Sequence, residues 1–116
     1  MKITRIYAGT DNLSHFEEIE VPFETREDFG LFTLPEPAKS VFFREIPPGW
    51  EYTWHNPVCR EYVVITDGEA EVTVGSGEKR RFKPGDVLLV EDLTGQGHRT
   101  QVIGKKVWRQ VFVTLP

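Results

Sequence analysis

The fold is decided by the stretch Gly49-Trp50-Glu51-Tyr52-Thr53-Trp54-His55-Asn56-Pro57-Val58-Cys59-Arg60-Glu61-Tyr62-Val63-Val64-Ile65-Thr66-Asp67-Gly68. Two glycines enclose a run rich in aromatic and β-branched residues, a composition that favours extended strands. Within this run His55 and Glu61 are six residues apart. Because side chains alternate along an extended chain, an even separation predicts that both face the same side. We therefore expect the functional site here.

Short strand-like runs continue on both sides of this stretch. Glycine-containing turns separate them, and the strongest hairpin signal is Asp67-Gly68, which predicts that the strands before and after it pair. Short strands spaced at about ten residues predict an all-β sandwich or barrel. The predicted strands after the N-terminal segment cover residues 41–46, 62–66, 69–74, 80–83, 87–90, 98–103 and 106–115.

The first forty residues have a different pattern. A short edge strand is predicted at the N-terminus, and a second strand is predicted over residues 15–23. Gly30, Pro35 and Pro37 exclude a long helix between residues 24 and 40, so this segment is predicted to wrap over the sheet as an arm. We expect one structural domain, with a strand and arm at 1–40 and a barrel at 41–116.

Composition limits the functional classes. The net charge of −4 and the pI near 5.4 argue against nucleic-acid binding. The basic run at 79–81 is interpreted as a solvent-exposed strand edge or turn. No stretch approaches the roughly 18 apolar residues of a membrane span, and the N-terminus lacks the apolar segment of a signal peptide. The single cysteine, Cys59, excludes an intrachain disulfide. We expect a soluble, cytoplasmic protein.

The last predicted strand suggests a partner subunit. It carries apolar residues on both faces, with Val111 and Val113 on one and Trp108 and Phe112 on the other. In so small a domain, a second apolar face needs a cover. A homodimer would provide it, and the N-terminal arm is the alternative.

The spacing of five residues in the opening stretch resembles the cupin family. Gly49, His55, Pro57, Glu61 and Gly68 are spaced as in the first cupin motif, and the run Pro84-Gly85-Asp86-Val87 followed by His98 is similar to the second. The resemblance covers about residues 41–115 and is greatest to small, RmlC-like single-domain cupins with a Trp-His-x-Pro segment, a subgroup of unsettled activity. It implies a double-stranded β-helix, or jelly-roll, barrel that is often dimeric and holds a divalent metal near its axis.

The resemblance also implies a metal-binding set. Pro57 replaces the second histidine of the first motif, so the residues carried over as metal ligands are His55, Glu61 and His98. Two imidazoles and one carboxylate are a minimal facial set for Fe, Mn, Ni or Zn. Gln96 is a candidate for a weak fourth ligand. The alternative is that both histidines are hydrogen-bonded polar residues of the barrel mouth, with Glu61 paired to Arg60, Arg99 or another cation.

Four further residues near this set have two interpretations each. Tyr52 is either a catalytic proton carrier, together with Glu61, or a core aromatic residue. Cys59 is either a soft ligand or a small buried side chain. Asp92 is expected to hydrogen-bond backbone amides of its loop rather than act in catalysis. Thr53 shares the parity of His55 and is a candidate for the pocket lining.

Three functional hypotheses follow. The first is a metal-dependent enzyme acting on a small organic acid, sugar or aromatic substrate, and the second is a metal-free cupin that binds or senses a small ligand. The third is a purely structural or interaction module. No glycine loop of the phosphate-cradling type is present, so no organic cofactor is expected.

Overall fold

The structure is a computed structural model that describes all residues from 1 to 116. It consists of twelve β-strands and contains no helix. The strands are β1 (Lys2–Ala8), β2 (Ser14–Glu20), β3 (Glu24–Arg26), β4 (Gly30–Phe32), β5 (Ser40–Ile46), β6 (Glu51–His55), β7 (Glu61–Asp67), β8 (Glu69–Thr73), β9 (Lys79–Phe82), β10 (Val87–Glu91), β11 (His98–Ile103) and β12 (Trp108–Thr114). The prediction of an all-β chain is confirmed.

Two sheets form the barrel. The larger has six strands in the order β2-β1-β10-β7-β12-β5, and the smaller has four in the order β6-β11-β8-β9. A core of buried side chains fills the space between them, and fully burying each large aliphatic or aromatic side chain contributes about 1.5–3 kcal/mol. The main cluster contains Ile6, Ile46, Val63, Ile65, Ala70, Val72, Val74, Phe82, Leu88, Val90, Val102, Trp108 and Phe112.

The predicted hairpin at Asp67-Gly68 is wrong. Strand β7 lies in the six-stranded sheet, whereas β8 lies in the four-stranded sheet and pairs with β9 and β11. The chain therefore passes from one sheet to the other at Gly68. This residue has a φ of 73°, and a Cβ there would overlap the backbone of Val107, so both the conformation and the close approach require glycine.

The N-terminal segment is more central than an edge strand. Strand β1 lies between β2 and β10 and pairs with β10 in parallel, with Thr4 opposite Leu88, so the edge position belongs to β2. The predicted division of the domain at residue 40 stays a prediction, but residues 2–20 supply two strands of the main sheet. The arm consists of the β3–β4 hairpin and an extended segment in which Glu36 accepts a hydrogen bond from the Tyr62 hydroxyl.

Candidate functional site

One cavity of about 440 Å³ lies between the two sheets and is lined by strands of both. Its volume is in the range of small-molecule sites. Hydrophobic residues, among them Tyr52 and Cys59, which also carry a polar group, make up 11 of its 20 lining residues, and the polar groups converge from several strands. The polar and ionisable lining residues are Arg44, Tyr52, His55, Asn56, Cys59, Glu61, His98, Thr100, Gln110 and Thr114.

All four predicted site residues, His55, Glu61, His98 and Tyr52, line this cavity. They converge for a reason other than the parity of one strand. His55 ends β6 in the four-stranded sheet, while Glu61 begins β7 in the six-stranded sheet, with an irregular segment between them. The predicted shared face along a single extended strand is therefore wrong, and closure of the barrel brings the two residues to one cavity.

The two imidazoles form a pair across neighbouring strands. His98 is opposite His55 in the β6–β11 pairing, and the ring centroids are 4.5 Å apart with an interplanar angle of 58°. Gly97 makes this approach possible, because it has a φ of 77° and a Cβ there would overlap the carbonyl of His55. A glycine directly before the second histidine is thus part of the construction of the site.

The hydrogen bonds of both rings determine which nitrogen is free. Nδ1 of His55 lies 2.7 Å from the carbonyl oxygen of Thr53, and Nδ1 of His98 lies 2.7 Å from Oδ2 of Asp92. Both partners are acceptors, so each Nδ1 donates its proton, and in the neutral form of either ring the lone pair lies on Nε2. Neither Nε2 has a hydrogen-bond partner in the protein.

Burial also keeps His55 neutral. It lowers the pKa of His55, the carbonyl of Thr53 opposes this change, and the neighbouring His98 adds to it. A neutral imidazole with a free Nε2 is the form that binds metals or accepts a proton from a ligand. Thr53 contributes its backbone carbonyl, whereas its side chain is exposed and outside the cavity lining.

Asp92 fixes the orientation of the His98 ring through a hydrogen bond to Nδ1. Its side chain is fully buried, and Oδ2 accepts hydrogen bonds from Nδ1 of His98 and Oγ of Ser14, each 2.7 Å long. The expectation that Asp92 binds backbone amides is wrong, because its hydrogen-bond partners are these two side chains. Oδ1 is buried without a partner. A carboxylate behind a histidine fixes the tautomer and orientation of the ring.

Glu61 is a half-buried carboxylate that forms no side-chain hydrogen bond or ion pair. The two arginines predicted by name as its partner are wrong, since Arg60 pairs with Glu91 and Arg99 pairs with Glu51. Burial raises the pKa of Glu61, although Arg44 and His98 oppose the increase. Such a group is free to meet a cation, a proton or a ligand.

Arg44 is a cavity residue that the sequence pattern does not reveal. It lies on β5 opposite Gln110 of β12, and its Nε donates to Oε1 of Gln110 over 2.9 Å. Burial lowers the pKa of Arg44, whereas electrostatic interaction with Tyr52 and Glu61 opposes this decrease. The available signal was parity: Arg44 shares the parity of the inward-facing Ile46, and Gln110 shares that of Trp108 and Phe112, so both face inward.

Of the two remaining candidate residues, one lines the cavity and the other does not. Cys59 lines the cavity as a partly exposed free thiol, not as a small buried side chain. Gln96 is exposed and outside the cavity lining.

The donor atoms are of the types that bind divalent cations. Two free imidazole nitrogens and an unpartnered carboxylate share one cavity, and Asp92 supports one of the rings. In their present rotamers, however, no group of three His, Cys, Asp or Glu side chains is close enough to hold a metal. The metal set therefore stays a prediction.

The two sheets form an all-β barrel with an internal, partly polar cavity, which is an architecture compatible with small-molecule binding. A family model described as "Cupin domain" matches residues 42–114, which is more than half of the chain. The chain belongs to the cupin family, and the predicted family membership is confirmed.

Solved structures support the same fold. An RmlC-like cupin family protein from Methanocaldococcus jannaschii, with a double-stranded β-helix fold, superimposes with a TM-score of 0.57 at 19% identity, covering 84% of this chain and 92% of that one. At this identity the likeness concerns the fold alone. The predicted double-stranded β-helix is confirmed.

Curated relatives match over shorter segments. A cupin-domain-containing oxidoreductase of Neurospora crassa, srdB, is 42% identical over 45 residues, covering 39% of this chain and 23% of that protein. Oryzines biosynthesis cluster protein J of Aspergillus oryzae is 48% identical over 58 residues, covering 50% of this chain and 32% of that protein. The matches thus span about a quarter to a third of the length of these relatives.

The structure contains no helix that would cross a membrane.

Proposed function

We propose that this cupin handles a small organic molecule in the cavity and that His55, Glu61 and His98 hold a divalent ion, Fe, Mn, Ni or Zn, for a metal-dependent reaction. One observation carries the proposal. Two imidazoles with free Nε2 atoms, 4.5 Å apart between ring centroids, share a cavity with an unpartnered carboxylate. Three donors of this kind leave further coordination positions for a ligand.

The residues of the chain supply binding and proton transfer. A bound ion of this type provides Lewis-acid or redox chemistry. The Tyr52 ring lies 5.4 Å from the His55 ring, so its hydroxyl and the Glu61 carboxylate are the candidates for moving protons to and from the ligand. The oxidoreductase name of one relative is compatible with this assignment.

A metal-free ligand-binding cupin is the second candidate. Two observations favour it: no three ligating side chains lie close enough to hold a metal, and the Arg44 guanidinium shares the cavity. A fixed positive charge near the imidazoles opposes the approach of a second cation. In this alternative the imidazoles hydrogen-bond the ligand directly.

Metal analysis of the full chain, purified without chelator and then incubated with each ion in turn, tests the first candidate. The parent is expected to hold one ion per chain and the His55→Ala/His98→Ala variant none. His15→Ala is the matched control, since His15 pairs with Asp11 outside the cavity. Equal metal content in the parent and the double variant, or none above background in the parent, would leave the metal-free candidate.

We further propose a homodimer in a reducing compartment. Strand β5 ends the six-stranded sheet and exposes Val41 and Phe43, which are 57% and 76% accessible. An exposed apolar edge strand of this kind is a surface on which a second copy can pair. The free thiol of Cys59 is compatible with a cytoplasmic location.

A further inference from the structure

Arg44 presents a preorganised cation inside the cavity. Its guanidinium carbon lies 4.6 Å from the ring centroid of Phe112 and 5.4 Å from that of Tyr52, while its Nε is held by Gln110. Gln110 is only 1% exposed, so this restraint is itself rigidly placed. A guanidinium fixed on one edge and packed on aromatic faces loses little freedom when a ligand binds to its remaining N–H groups.

The charge of this cation lacks a partner. None of the ion pairs of the chain includes Arg44. Glu61 is near enough to act on it electrostatically without forming an ion pair. A half-buried cation without a counter-ion is costly, and an arriving anion offsets that cost.

The other lining residues indicate which anion fits. Arg44 is the only arginine or lysine of the cavity, and most of the remaining lining is apolar, including Leu88, Val90 and Trp108. The guanidinium fork matches carboxylate and phosphate alike, but the single charge of Arg44 balances a carboxylate, whereas a phosphate group of about −1.5 to −2 would keep uncompensated charge in the cavity. The apolar walls suit a hydrocarbon or aromatic body attached to that carboxylate.

We propose that Arg44 anchors the carboxylate of a small organic acid whose apolar body fills the cavity toward His55 and His98. This inference rests on the small-molecule function proposed above and narrows its ligand class. Gln110 positions the guanidinium, and the carboxylate accepts hydrogen bonds from the N–H groups that Gln110 leaves free.

The test is an NMR titration of the full-length protein with benzoate, its neutral isostere benzamide, and inorganic phosphate. The Nε–H signal of Arg44 and the ring signals of His55 and His98 report on the cavity. Benzoate is expected to shift them and to bind at least about tenfold more tightly than benzamide. Arg44→Gln is expected to weaken benzoate about ten- to hundredfold and to leave benzamide unchanged.

Two further variants complete the test. Arg44→Lys keeps the charge without the fork, so benzoate binding is expected to be intermediate, and this variant still tests the anchor if Arg44→Gln perturbs the fold. Arg109→Gln removes an exposed arginine that pairs with Glu45 outside the cavity, and it should change nothing.

Each remaining outcome has a definite meaning. Equal binding of benzoate and benzamide, or unchanged benzoate binding in Arg44→Gln, overturns the anchor but leaves a small-molecule cavity. Tighter binding of phosphate than of benzoate at Arg44 overturns the carboxylate assignment. If no probe shifts the cavity signals at millimolar concentration, the anchor falls, while the metal analysis described above tests the proposed metal-dependent function independently.

Discussion

Nδ1 of His98 donates a 2.7 Å hydrogen bond to the buried carboxylate of Asp92, which leaves Nε2 of His98 as the free atom in the cavity. Ser14 donates to the same carboxylate oxygen and so links this arrangement to strand β2 of the other sheet. The free lone pair of His98 thus depends on a residue outside the cavity lining. Asp92 is a positioning residue, and its effect on the site is testable apart from activity.

Replacing Asp92 with asparagine is expected to reverse the tautomer of His98. The introduced side-chain amide would donate to Nδ1, so the ring proton would move to Nε2 and block it. Long-range ¹H–¹⁵N NMR spectra measure the tautomer directly. We also expect a loss of about 1–3 kcal/mol in unfolding free energy and, if metal binds, about 10–100-fold weaker metal affinity.

Asp28→Asn is the control for the Asp92 variant, because Asp28 is an exposed partner of Arg26 far from the cavity lining. It should leave the His98 tautomer and the metal affinity unchanged. A His98 ring that keeps its proton on Nδ1 in the Asp92→Asn protein would contradict the expected reversal, because it would place the asparagine carbonyl oxygen, and not the NH2 group, at Nδ1.

Gly97 is expected to tolerate alanine much less than Gly77. Both have positive φ, 77° and 91°, but a Cβ at Gly97 would overlap the His55 carbonyl, whereas nothing lies within 4 Å of a Cβ at Gly77. Gly77→Ala should cost about 1 kcal/mol for the left-handed conformation alone. Gly97→Ala should cost about 3 kcal/mol or more and separate the two histidine rings.

Urea unfolding measures the cost of both alanine variants, and the NOE between the rings of His55 and His98 measures their separation. Similar costs for Gly97→Ala and Gly77→Ala, with the NOE intact, would mean that the backbone between β6 and β11 accommodates a methyl group at residue 97.

The barrel was predictable because its signals are local. Motif spacing and glycine turns are read within about ten residues, and so is the alternation that buries Ala70 and Val72 of β8. The parallel pairing of β1 with β10 joins Thr4 to Leu88, and nothing near either residue encodes it. For this reason the edge-strand prediction for β1 failed.

The site was partly predictable for a similar reason. His55, Glu61 and His98 carry recognisable motif positions and do line one cavity. Arg44 and Gln110 were missed because a single polar residue at an inward-facing position of an apolar strand does not by itself indicate a site. Its role can be inferred only when its cross-strand partner is known. Their meaning arises only from the pairing of β5 with β12.

Glu91 is expected to stabilise the fold in a pH-dependent way. Burial would raise its pKa, but hydrogen bonds from Arg5 and Arg60 outweigh burial, so the folded pKa lies below the ordinary value of 4.5. A lowered carboxyl pKa adds stability above that value, which is lost as the pH falls through the folded pKa. Glu91→Gln should therefore cost about 1 kcal/mol at pH 7, since side chains that are 32% and 42% exposed are screened by solvent.

Urea unfolding of the parent and Glu91→Gln proteins at pH 7 and pH 3 measures this dependence. The difference in unfolding free energy should be smaller at pH 3 than at pH 7. Glu27→Gln is the matched control, because Glu27 is exposed and forms no ion pair. An equal difference at both pH values would mean that the carboxylate charge of Glu91 is not what stabilises the fold.

Phe43 tests the proposed dimer. It is 76% exposed on the edge strand β5, so in a two-fold pairing of β5 strands the two copies of Phe43 would lie on one apolar surface. Phe43→Asp would place two carboxylates there and should raise the dimer dissociation constant at least about tenfold. Phe29→Asp, at a 66% exposed phenylalanine of the arm, should not. Sedimentation equilibrium measures the mass against the 13.4 kDa of one chain, and a parent protein that stays at this mass at all concentrations would exclude the dimer.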